Sequence, residues 1–125
     1  MKKALISFAI VIACLSAKCQ LANHKWEGSI QIDNQATLIT LDFKKDTVDA
    51  LITASGELLE EMTYTVKNGI VTFQKVNGRS ECGSDIIGKY KFSIKNDTIT
   101  LTVAEDICGS RAEVLDQSTW KKVKK

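Results

Sequence analysis

The chain reads as an all-β fold: an eight-stranded antiparallel up-and-down barrel carrying one disulfide, with a two-sheet β-sandwich as the alternative. Three observations predict it. Apolar and polar residues alternate with period 2 through most of the chain, as strands with one buried face require. The links between these segments are short and made of turn residues. Pro is absent from the 125 residues, whereas open sheets often protect their edges with it, so a sheet closed on itself is favoured. A sandwich buries one face per strand equally well but uses longer connections between its sheets.

Residues 1–19 read as a signal peptide. Lys2-Lys3 form a charged start, Ala4 to Ala13 an apolar core of about ten residues, and Ala17-Lys18-Cys19 a cleavage motif that places the cut before Gln20. The apolar run is shorter than the about 20 residues a bilayer span needs. The expected destination is the periplasm or the exterior. The alternative is a membrane-anchored lipoprotein, since Val11-Ile12-Ala13-Cys14 also fits a lipid-attachment box. Residues 20–125 form the barrel domain. Removing Lys2, Lys3 and Lys18 from the 17 basic residues leaves 14 against 15 acidic ones, which removes the basic balance a nucleic-acid partner would call for. The terminal Lys121-Lys122-Val123-Lys124-Lys125 reads as a solvated tail. Without Cys14 and Cys19 the domain keeps Cys82 and Cys108, an even pair that in an exported protein reads as a disulfide.

The strands follow in order. Lys25–Ile32 places Trp26, Gly28, Ile30 and Ile32 on one face, and Thr37–Phe43 does so with Ile39, Leu41 and Phe43. Thr47–Ala54 alternates through Val48, Ala50 and Ile52. In Glu60–Lys67, Met62, Tyr64 and Val66 oppose Thr63, Thr65 and Lys67, and Ile70–Val76 continues with Val71 and Phe73. Ile87–Lys95 sets Tyr90, Phe92 and Ile94 against four polar residues, and Thr98–Val103 sets Ile99, Leu101 and Val103 against three threonines. The eighth, Ala112–Lys122, has the least regular pattern. Between them lie Asp33-Asn34-Gln35, Lys45-Asp46, Ser55-Gly56, Asn68-Gly69 and Asn96-Asp97. Asn68-Gly69 is the strongest hairpin signal, because both central residues of a type I′ turn need positive φ. No segment shows a useful length of helical periodicity.

Three stretches together resemble the calycin superfamily, and in particular bacterial lipocalin-like domains. They are His24-Lys25-Trp26-Glu27-Gly28, then Gly88-Lys89-Tyr90-Lys91-Phe92 followed by Asp97-Thr98-Ile99-Thr100-Leu101, and Asp106-Ile107-Cys108-Gly109-Ser110-Arg111 with Trp120 near the end. The first has Trp-x-Gly where lipocalins have Gly-x-Trp. The resemblance implies that Trp26 packs on Arg111 to close one end of the barrel, a cation–π contact of about 0.5–2 kcal/mol.

No catalytic constellation is visible. His24 is the single histidine, which excludes a site built on two or three, and its place at the start of the domain predicts an exposed, inert side chain. Glu60 and Glu61 are adjacent on a strand and point to opposite faces, so they cannot flank one bond. Asp85, Glu105 and Asp106 fall in loops, where solvation is the ordinary expectation. Asn77-Gly78-Arg79-Ser80 lacks the spacing and the following helix of a phosphate loop. Asn96-Asp97-Thr98 matches a glycosylation sequon that its turn chemistry explains. The expected protein is therefore no enzyme and uses no metal or cofactor. It binds a small, largely apolar ligand in a cavity of a few hundred Å³, with Trp26, Tyr64, Phe73, Tyr90 and Phe92 as lining and Arg79 as a polar contact. Tyr64 and Tyr90 face inward and each needs a hydrogen-bond partner. The alternative is a protein-interaction module, such as a periplasmic enzyme inhibitor, with a filled barrel and a working surface on a loop or on Gln20–Lys25.

Overall fold

The structure, a computed structural model, describes residues 17–124; the apolar run expected to be a signal-peptide core and the Cys14 alternative lie outside these. A short helix α1 (Ala17–Leu21) precedes β1 (Lys25–Ile32), β2 (Gln35–Phe43), β3 (Thr47–Ile52), β4 (Leu58–Lys67), β5 (Ile70–Gly78), β6 (Ile87–Lys95) and β7 (Thr98–Glu105). A second helix, α2 (Gly109–Leu115), then leads to β8 (Ser118–Lys122). Each strand pairs antiparallel with the next and β8 returns to β1, so the sheet is a closed eight-stranded barrel. The cleavage position expected before Gln20 falls within α1, where Lys18 bonds Asp46 at 3.1 Å.

Turn chemistry sets the register. Asp33-Asn34, Asn68-Gly69 and Asn96-Asp97 all have positive φ, between 51° and 76°, which matches the right-handed twist of the strands they join. The pairs that flank them are Ile32↔Gln35, Lys67↔Ile70 and Lys95↔Thr98. Those registers turn the main apolar set of the strands they join inward.

One strand expectation is corrected. Ala112–Lys122 is not a single strand: its first part belongs to α2, and β8 begins only at Ser118. Arg111 and Leu115, four residues apart, are both buried on one face of α2, a helical spacing. Seven residues are too few for that period to stand out against the flanking alternation.

The interior divides into two halves. At the end where α1 docks, Leu21 enters the barrel and is 1% exposed. Trp26, Phe43, Tyr64 and Trp120 are equally buried, and the Phe43 and Tyr64 rings meet edge to face at 4.9 Å. The Tyr64 hydroxyl donates to the Lys44 carbonyl at 2.6 Å, and Lys18 Nζ lies 5.9 Å from the Tyr64 ring centre. A void of about 10 Å³ remains, lined by Phe73, Phe92, Leu101 and Trp120 among others, about one water probe in size. Burial and the nearby Asp46 carboxylate push the Tyr64 hydroxyl up to about 12. The folded state thus holds a proton there that the unfolded chain releases above about pH 10, so this contribution is lost as pH rises between those values. In urea titrations across that interval, Tyr64→Phe should lose stability less steeply than the natural protein.

The Cys82–Cys108 disulfide, with Cα atoms 5.5 Å apart, ties the β5–β6 connection to the residue before α2. Replacing both cysteines with Ser should lower unfolding free energy by about 3 kcal/mol, read by urea denaturation. The bond is compatible with an oxidising compartment. No helix among the described residues is long and apolar enough to cross a membrane.

Candidate functional site

The end opposite α1 carries the two long connections, 79–86 and 106–117, and it stays open. Three ladder irregularities lie in this half, at Ala50/Leu51, Glu61/Met62 and Lys89/Tyr90. Bulges bend and re-aim strands. Here Leu59, Val76 and Ala104 are the extra residues, which leaves Val76 53% exposed while Lys75 is mostly covered. β1 and β8 pair only at Trp26↔Lys122 and Glu27↔Lys121. Beyond Glu27 no ladder joins them.

The result is a cup of about 630 Å³, within the range of small-molecule sites. Its walls are apolar, with Ile30, Ile39, Leu41 and Met62 from the strands, Val114 and Leu115 from α2, and Trp120 at the boundary with the filled half. The polar lining is Glu60, Arg79, Ser80 and Glu81 on the side of the β5–β6 connection, Ser110 and Arg111 of α2, and Asp33 at the β1–β2 turn.

Two polar clusters hold part of that lining. In the first, the Glu60 carboxylate accepts from the Ser80 hydroxyl and lies 4.0 Å from Lys75 Nζ, which donates to the Ser80 carbonyl at 2.6 Å. Gly78, at φ 140°, is required here, because a Cβ would sit 2.6 Å from the Leu59 carbonyl oxygen and closer still to the Glu60 carboxylate. In the second, Arg111 Nε and Nη2 donate to the two Asp106 oxygens at 2.7 and 2.9 Å, and the Tyr90 hydroxyl donates to Asp106 at 2.5 Å. Arg111 Nη2 also reaches the Ile86 carbonyl at 3.2 Å. The Asp106 side chain is 0% exposed and that of Arg111 4%. Gly88 makes room for them, since a Cβ would lie 2.5 Å from Asp106 Oδ2.

Burial alone would raise the Asp106 carboxyl. Hydrogen bonds from Arg111, Tyr90 and the Cys108 amide outweigh it and hold the group below its ordinary value. Burial first, then the bond to Asp106, drives the Tyr90 hydroxyl far above the usual tyrosine range. Burial lowers Arg111, but its pairing with Asp106 overcomes this and leaves it raised. Both partners are thus held charged.

Of the six residues expected to contact a ligand, Arg79 lies on the cup, where it pairs with Glu57. Phe73 and Phe92 line the small void instead. Tyr64 and Tyr90 find their partners inside the protein, as Lys44 and Asp106. Trp26 is 1% exposed in the filled half, and its Nε1 is buried without a hydrogen-bond partner among the described residues. The Arg111 guanidinium, expected on Trp26, is engaged by Asp106 and Ile86. Asp106 is not a solvated loop acid, as expected, but the most buried carboxylate of an ion pair here; tight coupling to Arg111 and Tyr90 compensates its burial. His24 is half-buried rather than exposed, because its backbone is drawn onto β2 by the bond from the Phe43 amide to the His24 carbonyl.

Sequence reasoning set Glu60 aside as half of an unusable carboxylate pair, named Arg111 only for barrel closure, and did not single out Val114 and Leu115 of α2 as cup residues. The signal for Asp106 was present in the Asp-x-Cys-x-x-Arg order, which sets acid and base on either side of a bridged cysteine. Among the described residues no group of three or more His, Cys, Asp or Glu is placed to hold a metal ion. Comparison of the chain with family models, with curated proteins and with solved structures gave no match.

Proposed function

We propose that this protein is an exported, non-enzymatic, lipocalin-like barrel that binds a small, largely apolar ligand in the open half of its interior. The observation that carries the reading is the cup itself: about 630 Å³ of mostly apolar wall, beside a half of the same barrel packed down to about 10 Å³. Side chains that fill one half so closely could fill the other; a protein needing only a stable barrel gains nothing from leaving that apolar surface uncovered. The disulfide supports both export and the site, since Cys82 and Cys108 sit two residues from Ser80 and Ser110 on the cup.

The test is titration with N-phenyl-1-naphthylamine, an uncharged probe that brightens in apolar surroundings. Ala50 lines the cup, so Ala50→Phe places a ring within it. The natural protein should bind the probe with saturation, and Ala50→Phe should weaken binding by about tenfold or more, equivalent to about 1.4 kcal/mol. Equal binding by both proteins, or none by either, overturns the reading.

A further inference from the structure

Resting on that ligand-binding reading, we infer that the cup selects an uncharged amphiphile whose hydrogen-bond acceptor, a carbonyl or ether oxygen, meets Arg111, and that it excludes carboxylates. Two independent observations lead there.

The first is an unmet donor. Arg111 lines the cup and its side chain is 4% exposed. Nε and Nη2 are fully employed on Asp106 and Ile86, but Nη1 is buried with no hydrogen-bond partner among the described residues. A buried donor left unmet is costly, and a guanidinium N–H can be met only by an acceptor. Arg111 lines the cup, so a ligand oxygen carried in by an apolar body supplies one where the side chains covering Nη1 move aside to admit it.

The second is the charge around the cup. Each cation at its boundary already has a carboxylate: Arg111 has Asp106, Arg79 has Glu57 and Lys75 has Glu60. Asp33 and Glu81 line the cup in addition. The cations are therefore neutralised and the remaining charge is negative. An arginine open on its carboxylate-binding edge would mark an acid's site, because paired N–H groups match two carboxylate oxygens. In Arg111 that edge is occupied by Asp106 through Nε and Nη2. A ligand carboxylate would have to enter a low-dielectric cup beside Asp106 and past Asp33 and Glu81, with one donor nitrogen to receive it. An uncharged acceptor gains the same hydrogen bond without that repulsion. An ammonium head suits the rim acids but meets Nη1 with another donor.

The experiment is isothermal titration calorimetry at pH 7.5 with three probes of matched chain length: 2-decanone, decanoate and decylammonium. It is run on the natural protein and on the variant Asp33→Asn with Glu81→Gln, two exposed residues whose side chains make no bond within the buried clusters described above. The expected result is 2-decanone binding about tenfold or more tighter than either ion, a difference of about 1.4 kcal/mol. In the variant, decanoate should gain about threefold or more relative to 2-decanone, with that gain shrinking as salt is raised. Decanoate or decylammonium binding as tightly as the ketone overturns the inference and leaves the ligand-binding reading standing. A variant with unchanged decanoate affinity also overturns it, since the rim charge then excludes nothing. No heat from any probe, together with no binding of the naphthylamine, overturns the ligand-binding reading itself.

Discussion

Asp106→Ala should cost about 3–5 kcal/mol of unfolding free energy, because it leaves Arg111 charged and unpaired in the interior. The side chain is wholly buried and receives two bonds from Arg111, one from Tyr90 and one from the Cys108 amide at 3.0 Å. Its removal takes the acceptor from four donor groups, of which only Arg111 Nη2 keeps another partner, the Ile86 carbonyl. Urea denaturation at pH 7 measures the loss, and a loss below about 1 kcal/mol would show that the cluster relaxes or hydrates cheaply. The cluster also has a pH signature. The folded Asp106 carboxyl titrates below the ordinary value of 3.8, so the folded state favours the ionised form. That contribution is complete above the unfolded value, and it fades as pH falls through the folded one. The acid limb of the natural protein's stability should therefore fall more steeply below about pH 4 than that of Asp106→Asn, which has no carboxyl to protonate there.

Trp120→Ala should cost a further about 3–5 kcal/mol in its own right, the usual range for truncating a buried Trp. Trp120 is 1% exposed and borders both the small void and the cup. Its Nε1 donates to the Ser118 hydroxyl at 2.8 Å, and that hydroxyl donates to the Leu115 carbonyl at 2.6 Å, so the ring is tied to the end of α2. The indole also lies on Gly28, where a Cβ would stand 2.7 Å from Trp120 Cε3. Deleting the ring joins the void to the cup. Denaturation reads the stability loss. Titration with apolar probes longer than the cup admits in the natural protein should then show new binding, and an unchanged size limit would place the floor of the cup elsewhere.

Most strand boundaries were legible within about two residues. Asn68-Gly69 was read as a type I′ turn and has φ values of 53° and 76°, and the inward faces of β2, β6 and β7 followed from alternation alone. Legibility failed where a bulge intervenes. Val76 and Leu59 break the period in β5 and β4, and from those points the inward set can no longer be counted from one end of the strand. It failed again at α2, whose two-turn pattern hides inside an apparent strand. The buried pair Asp106–Arg111 was written in one short motif, yet its burial depends on Gly88 and Tyr90, which are distant in sequence.

Local rules therefore carried the architecture. Side-chain alternation and the positive φ of Asx-rich turns act between near neighbours, and they fix hairpin order and facing without knowledge of the rest of the chain. The cysteine pair needed only counting. The location of the empty space was decided in three dimensions. Leu21 plugs one end because α1 folds back onto β4, and Trp120 partitions the interior because Gly28 of β1 lets its ring approach. The other end stays open because bulges and the missing β1–β8 ladder beyond Glu27 spread its walls. Each of these contacts joins residues far apart in the chain, and packing at that range leaves no periodic mark in the sequence.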